Sequence, residues 1–345
     1  MSENHINPHS ISSMKREETS STPRGHGNDL KISVISVCYN ESGNLEEMYR
    51  RVKKSLEGAN LDFELIYVDN ASVDNSRSLY EQLCQRDQRV KVIFMARNTR
   101  SSQTSFLAGL KLAQGDCAVL LDGDIQDPPE LIPKMVERWQ EGNEVIYGVR
   151  KKRQEGFLLK FCYKAFYRVF RKMAYLDIPL DAGDFSLVDR KVIDHITQFN
   201  ERDFYLRGIR AYAGFRQVGL EYVREKRKEG KSNANWGSNF RWAKTLIVNF
   251  SFKPLEWISK LAFLVMLFAF VMIIVYLLAY FLYPEMSPRG VPTIVMLILF
   301  LGGIQLFALS IIAEYLAKIF VEVKGRPRYI VKEILNDNKT DPHTL

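Results

Sequence analysis

"VLLDGDIQDPPE", residues 119–130, places Asp122, Asp124 and Asp127 directly after an apolar run. The run has the length and composition of a buried strand, so the aspartates fall at its carboxyl end. Carboxylates repel one another, and each is costly to bury without a partner. A folded protein keeps such a cluster beside a compensating cation or exposes it to water. The stretch therefore reads as a divalent metal site or as a solvated acidic turn.

Upstream, "LKISVISVCYN" (30–40), "FELIYVDNAS" (63–72) and "VKVIFMARN" (90–98) are β-branched apolar runs that end in polar residues. Between them lie "NLEEMYRRVKKSL" (44–56), "DNSRSLYEQLCQR" (74–86) and "SSQTSFLAGLKLAQG" (101–115), which have helical periodicity. Strand and helix alternate over short connections, as in a mostly parallel sheet covered on both faces. Ligands of such folds sit beyond the carboxyl ends of the strands. There the sequence places Tyr39, Asn40 and Glu41, then Asp69 and Asn70, then Arg97 and Asn98, then Asp122 and Asp124. No G-x-G-x-x-G follows the first strand and no G-x-x-x-x-G-K-[ST] occurs, so nucleotide phosphates would be held by other means, such as a metal on the aspartates.

Two later segments are apolar for longer than the roughly 20 residues needed to cross a bilayer. They are Ile258–Tyr283 and Val291–Phe320, with "PEMSPRG" in the link between them. The flanks on the other sides are basic, which predicts a multi-pass cell (inner) membrane protein with its large domain and both termini in the cytoplasm. Cys38, Cys84, Cys117 and Cys162 form no C-x-x-C pair and read as reduced thiols. Residues 1–29 are polar and are expected to be a disordered lead-in. The formal charge of +8 gathers in segments that flank the spans, which points to lipid or phosphorylated substrate rather than nucleic acid. The stretch from Phe157 to Lys172 mixes aromatic and basic residues, and "FRWAKTLIVNFSFKPLEW" carries Trp242 and Trp257 before the first span. Both suit the headgroup region. Small residues in "LGGIQ" make a homo-oligomer through the second span an expectation.

"SVISVCYNES", "IYVDNASVDNS", "ARN", "LAGLKLAQGDCAVLLDGDIQDPPELI", "DAGDFSLVDRKVI", "RGIRAYAGFRQVGLEYVREKRKEGKS" and "AEYLAKIFVEVKGRPRYIV" occur in this order. Together they resemble the polyprenyl-phosphate glycosyltransferases of glycosyltransferase family 2, the dolichyl-phosphate mannose synthase group, in its bacterial two-span branch. The resemblance covers about residues 31–333. It implies a GT-A (Rossmann-like) α/β domain followed by two C-terminal transmembrane helices. The expected divisions are 30–235 for the catalytic domain, 236–257 for an interfacial segment, 258–283 and 291–320 for the spans, and 321–345 for a cytoplasmic tail.

It also implies inverting transfer of a sugar from a nucleotide-sugar, by analogy UDP-linked, to polyprenyl (undecaprenyl) phosphate. Carried onto this chain, Tyr39 and Glu41 would contact the nucleotide base with Asp69 beside them. Asp122, Asp124 and Gln126 would hold Mg²⁺ or Mn²⁺ and the diphosphate. Arg207, Arg224 and Arg227 would face the diphosphate or the lipid phosphate, and Asp184 would lie near the sugar and orient the acceptor. An ionised acceptor phosphate needs no strong base, so His195 reads as a helix residue.

The chain departs from the family pattern at Val37, Asn70, Ala71, Arg100, Ser186 and Asn233. Asn70 stands for Asp, and Ala71 and Arg100 each stand for Gly. The Asn70 and Arg100 departures motivate a rival reading, a membrane-anchored scaffold that binds without transfer. A processive polysaccharide synthase is a second rival. It is disfavoured because "SNFRW" (238–242) has Ser where Q-x-x-R-W requires Gln.

Overall fold

The computed structural model describes residues 30–150, 182–202, 204–224, 251, 253–282, 290–337, 340 and 341. Residues 1–29, the aromatic and basic stretch 157–172, Arg227, Asn233, Trp242 and most of the interfacial segment lie outside them.

The four apolar runs are β1 (Lys31–Cys38), β2 (Asp62–Asp69), β3 (Val90–Met95) and β4 (Cys117–Asp122). They pair in parallel in the order β4-β1-β2-β3. Helices cover both faces, and this is why the strands are apolar on both sides. Ile32 and Val34 pack with Leu45 and Met48 of α1 (Ser42–Gly58) and Tyr80 of α2 (Ser76–Arg86). Ile35 and Val37 point the other way, onto Phe106 and Leu110 of α3 (Ser102–Leu112). Helix α3 lies close to the sheet because Gly109 permits it: a Cβ there would come 2.4 Å from Ile35 Cγ2.

Beyond β4 the chain forms α4 (Ile132–Gln140), β5 (Val145–Arg150), β6 (Ala182–Asp189), α5 (Arg190–Ile196), α6 (Leu206–Ala213) and β7 (Gln217–Tyr222). Strand β6 runs antiparallel between β4 and β5, and β7 lies parallel to β5 at the edge. Asp189 starts α5 by accepting from the Lys191 N–H at 2.8 Å and also takes the Trp139 indole N–H at 2.6 Å.

Two helices long and apolar enough to cross a membrane follow, α7 (Lys253–Leu282) and α8 (Val291–Val323). Phe263, Leu264, Leu306 and Phe307 are exposed along them, the kind of surface a bilayer covers. The Tyr315 hydroxyl donates to the Ser251 carbonyl at 2.8 Å, and Glu322 accepts from the Arg202 N–H at 2.6 Å, so the end of α8 touches the sheet domain.

The segment after the second helix, expected as a tail, contributes β8 (Val331–Leu335), antiparallel to β3. It completes an eight-stranded sheet in the order β7-β5-β6-β4-β1-β2-β3-β8. Asn336 anchors its end with amide bonds to the carbonyls of Cys84 and Val90 at 2.8 and 2.9 Å, and Glu333 pairs with Arg77 at 2.8 Å. "VKEIL" is too short and too polar to announce this from sequence.

One buried charge ties strands and helix together. Glu64, 1% exposed, accepts from the Ser33 hydroxyl and the Gln114 N–H, each at 2.6 Å, and pairs with Lys91 at 3.0 Å. Burial alone would raise its carboxyl, but those hydrogen bonds and the Lys91 charge outweigh it and hold the group below the usual glutamate range. Removing one partner of a buried pair costs about 3–5 kcal/mol because the other charge is stranded. Glu64→Ala is therefore expected to lower the apparent melting temperature of the purified chain much more than Glu64→Gln. Because the folded-state pKa is depressed, the Glu64 contribution is intact above the ordinary glutamate value of about 4.3 and fades as pH falls below it. Melting curves of wild type and Glu64→Ala should thus converge in acid.

Candidate active site

Each of the four parallel strands leaves the sheet through a residue in the left-handed region: Asn40 (φ 54°), Ala71 (60°), Arg100 (57°) and Ile125 (57°). Only Asn adopts this readily; for the other side chains it costs about 1–2 kcal/mol each. The turns it produces fold back around one open cleft of about 440 Å³, lined among others by Tyr39, Glu41, Asn70, Asn98, Arg100, Asp122 and Asp124. Gly123 lets the β4 exit lie against β1, since a Cβ there would come 2.6 Å from Cys38 Sγ.

Of the residues expected at the nucleotide, Tyr39 projects into the cleft and is 45% exposed, and Glu41 lines the cleft beside it. Asp69 is placed differently. It is buried under the cleft, where its carboxylate accepts from the Ser72 N–H at 3.0 Å and shapes the β2 exit. Burial raises its pKa above the usual aspartate value. Its Oδ1 has no hydrogen-bond partner among the described residues.

The antiparallel ladder explains how Asp184 arrives. Leu120 of β4 pairs with Ser186 of β6, so Asp122, two residues after Leu120, and Asp184, two residues before Ser186, come alongside one another on one face. Asp124 and Asp127 follow in the β4 exit loop. Burial, together with the charges of Asp184, Asp127 and Asp124, pushes the Asp122 carboxyl up to about 7 despite the opposing Arg224.

The countercharges come from late in the chain. Arg224, just after β7, stands 3.8 Å from Asp124 and 3.4 Å from Asp127. Arg207, in the first turn of α6, pairs with Asp184 at 3.0 Å. Gln126 uses its backbone N–H to hold Asp124 Oδ1 at 3.2 Å. Arg227 lies outside the described residues.

Sequence reading missed several neighbours. Gln103 in α3 donates its amide to Asp184 Oδ2 at 2.7 Å and accepts from the Leu206 N–H at 2.9 Å. It thereby clamps the carboxylate to the start of α6. Arg210 is buried behind Asp184, donates to the Gly183 carbonyl at 3.2 Å, and is pushed down to about 10 by burial despite the nearby carboxylate. Tyr222 donates to buried Asp127 and receives a 3.4 Å bond from Arg150. Gln103, two residues into the helix after the third strand, was the one detectable by position; the others meet through β6, β7 and α6.

The fit of a divalent cation follows from this charge pattern. Asp122 and Asp124 face a cleft in which carboxylates outnumber cations, and burial together with that imbalance raises Asp122. Among the described residues no three His, Cys, Asp or Glu side chains enclose a metal site. Mg²⁺ is commonly held by one or two carboxylates plus substrate phosphates, a donor set this cleft provides for.

The family model for glycosyl transferase family 2 matches residues 33–197. YkcC of Bacillus subtilis (strain 168), described as an uncharacterized glycosyltransferase, is 36% identical over 88% of this chain and 94% of its own. The SfII prophage-derived bactoprenol glucosyl transferase of Shigella flexneri is 30% identical over 88% of this chain and 98% of its own. The structure of S. aureus TarS 1–349 in complex with UDP-GlcNAc aligns with 64% of this chain and 66% of that one, at 18% identity and a TM-score of 0.44. Similarity to YkcC and to the bactoprenol glucosyl transferase over 88% of its length settles the lineage: this chain, with its mostly parallel GT-A-like α/β sheet and two long apolar C-terminal helices, belongs to glycosyltransferase family 2.

Proposed function

We propose that the protein transfers a sugar, with inversion, from a UDP-sugar to a polyprenyl phosphate at the cytoplasmic face of a membrane. The observation that carries this reading is the pairing of two carboxylate stations in one cleft edge. Asp122 and Asp124 stand at the β4 exit, and Asp184 stands beside them, clamped by Gln103 and Arg207. The chain that builds the cleft then continues into two membrane-length helices and returns to the same sheet through β8. A pair of spans whose two ends both join one sheet starts and finishes on one side of the bilayer, in keeping with the basic flanks. The bactoprenol glucosyl transferases among the relatives support an undecaprenyl acceptor and make glucose the first sugar to try.

In this reading Tyr39 offers its ring to the base, Glu41 offers an acceptor to base or ribose, and Asp69 supports them from beneath by holding the β2 exit. Asp122, Asp124 and Gln126 would hold Mg²⁺ or Mn²⁺, which when bound neutralises the leaving diphosphate. Arg224 adds positive charge on the same side. The lipid phosphate is already ionised at neutral pH, so its oxygen attacks the anomeric carbon directly. The bond to the diphosphate breaks, the electron pair leaves with UDP, and the configuration inverts. Asp184 has a donor on each oxygen, Gln103 on one and Arg207 on the other. It therefore acts by orienting the acceptor and the α6 edge, with no proton to carry.

Transfer of radiolabelled sugar into organic-extractable lipid tests this. Detergent-purified protein with Mg²⁺, undecaprenyl phosphate and a panel of nucleotide-sugars should label lipid with one donor, and label should disappear with EDTA. Asp124→Ala should lower the rate by at least about 100-fold, the scale on which an electrostatic contact to the leaving group acts. Label absent with every donor would instead favour the binding-only scaffold.

Gln103→Ala should lower kcat by roughly 10- to 100-fold through misplacement of Asp184, with the donor KM changed little. Gln103→Glu, which sets a second carboxylate against Asp184, should be worse than Gln103→Ala. Steady-state kinetics with the donor varied would read both.

A further inference from the structure

Arg100 sits in an unfavourable backbone conformation that its surroundings enforce. Its φ of 57° is one that glycine adopts freely and arginine does not. A closed set of side-chain bonds holds it there. The Asn70 side-chain oxygen accepts from the Thr99 N–H at 2.9 Å and from the Thr99 hydroxyl at 3.1 Å. The Asn70 amide donates to Asn98 Oδ1 at 3.3 Å, and that oxygen accepts from the Arg100 N–H at 2.7 Å. An aspartate at position 70 could accept from Thr99 but could not donate to Asn98. Asn70 and Arg100, two departures from the family pattern, therefore form one physical unit.

The unit delivers a charge to the cleft. Glu41, Asp122 and Asp124 line it with carboxylates, and Arg100 is the only basic residue among the described residues that line it. Its guanidinium makes no hydrogen bond or ion pair within the described residues; its one bond is through the backbone N–H. An exposed cation kept at a strained position, opposite carboxylates, has most to gain from an anion entering between them. A guanidinium presents a fork that matches two phosphate oxygens.

We propose that Arg100 is a donor-binding residue that takes up the negative charge of a nucleoside diphosphate, and that Asn70 is the positioning residue that holds it for this task. The proposal rests on the nucleotide-sugar reading of the cleft and adds a contact at a position where the family pattern has glycine.

The test measures binding by the full chain in detergent, with and without Mg²⁺, by displacement of a fluorescent UDP analogue with UDP and with uridine. Arg100→Gly should weaken UDP about tenfold or more, the scale of a lost charge-assisted hydrogen bond. Uridine should stay within about twofold, since it lacks the phosphates. The melting temperature should be unchanged or higher, because glycine relieves the left-handed strain, so the lost affinity would not reflect misfolding. Arg100→Ala should lose the same affinity. Asn70→Asp should weaken UDP in the wild-type background and have no further effect in Arg100→Gly, as expected for residues acting through one contact. Equal weakening of UDP and uridine, or unchanged UDP affinity in Arg100→Gly, would overturn the proposal and leave the nucleotide-sugar reading standing. Failure of the wild type to bind UDP at all would overturn both.

Discussion

Mutual repulsion among Asp122, Asp124, Asp127 and Asp184 is the constraint around which the catalytic half of the molecule is arranged. Left alone, four carboxylates in one cleft edge would drive the turn apart or take up protons, and Asp122 shows how close this comes. The chain answers with arginines from two distant segments, Arg224 after β7 and Arg207 in α6. The antiparallel β6 is the device that makes the meeting possible. It reverses the chain direction beside β4, so a residue near the start of one strand lies level with the end of the other.

A second constraint acts on the backbone. Four parallel strands end at the same level, and their exits must turn inward within a few residues to surround a small ligand. Left-handed residues at all four exits achieve this, and three of them are Ala, Arg and Ile. Local strain at a ligand cleft is tolerated where surrounding bonds over-determine it. Here they include Asn70 with Asn98 on one turn and Asp69 with Ser72 on another. The rest of the sheet, apolar on both faces and packed beneath α1, α2 and α3, supplies the rigidity against which these turns are held.

The parallel half of the fold and the positions of Asp122 and Asp124 were legible in sequence, because strand period, helix period and turn chemistry are local. Both apolar helices were legible for the same reason, with α7 beginning at Lys253, five residues before the expected span. What could not be read depends on long-range pairing. The Gln103–Asp184–Arg207 clamp joins α3, β6 and α6. Asp69 has the residue type of a ligand contact, but its carboxylate turns into the β2 exit, and nothing in "IYVDNAS" distinguishes the two orientations. Strand β8 was hidden because five residues with a charged pair, Lys332 and Glu333, among them gain their stability from the neighbouring edge of β3.

That edge strand has a mechanical consequence. Between Val323 at the end of α8 and Val331 at the start of β8 only residues 324–330 intervene, and seven residues span at most about 25 Å. With Glu322 already bonded to Arg202, the helix end is leashed to the sheet on a short line. A catalytic domain on such a leash cannot swing far from the bilayer or rotate freely above it, so the altitude of the cleft over the headgroups is set by covalent chain. In the proposed reaction a long-chain lipid phosphate, able to rise and tilt in its own leaflet, would be the moving part, and the enzyme the fixed dock.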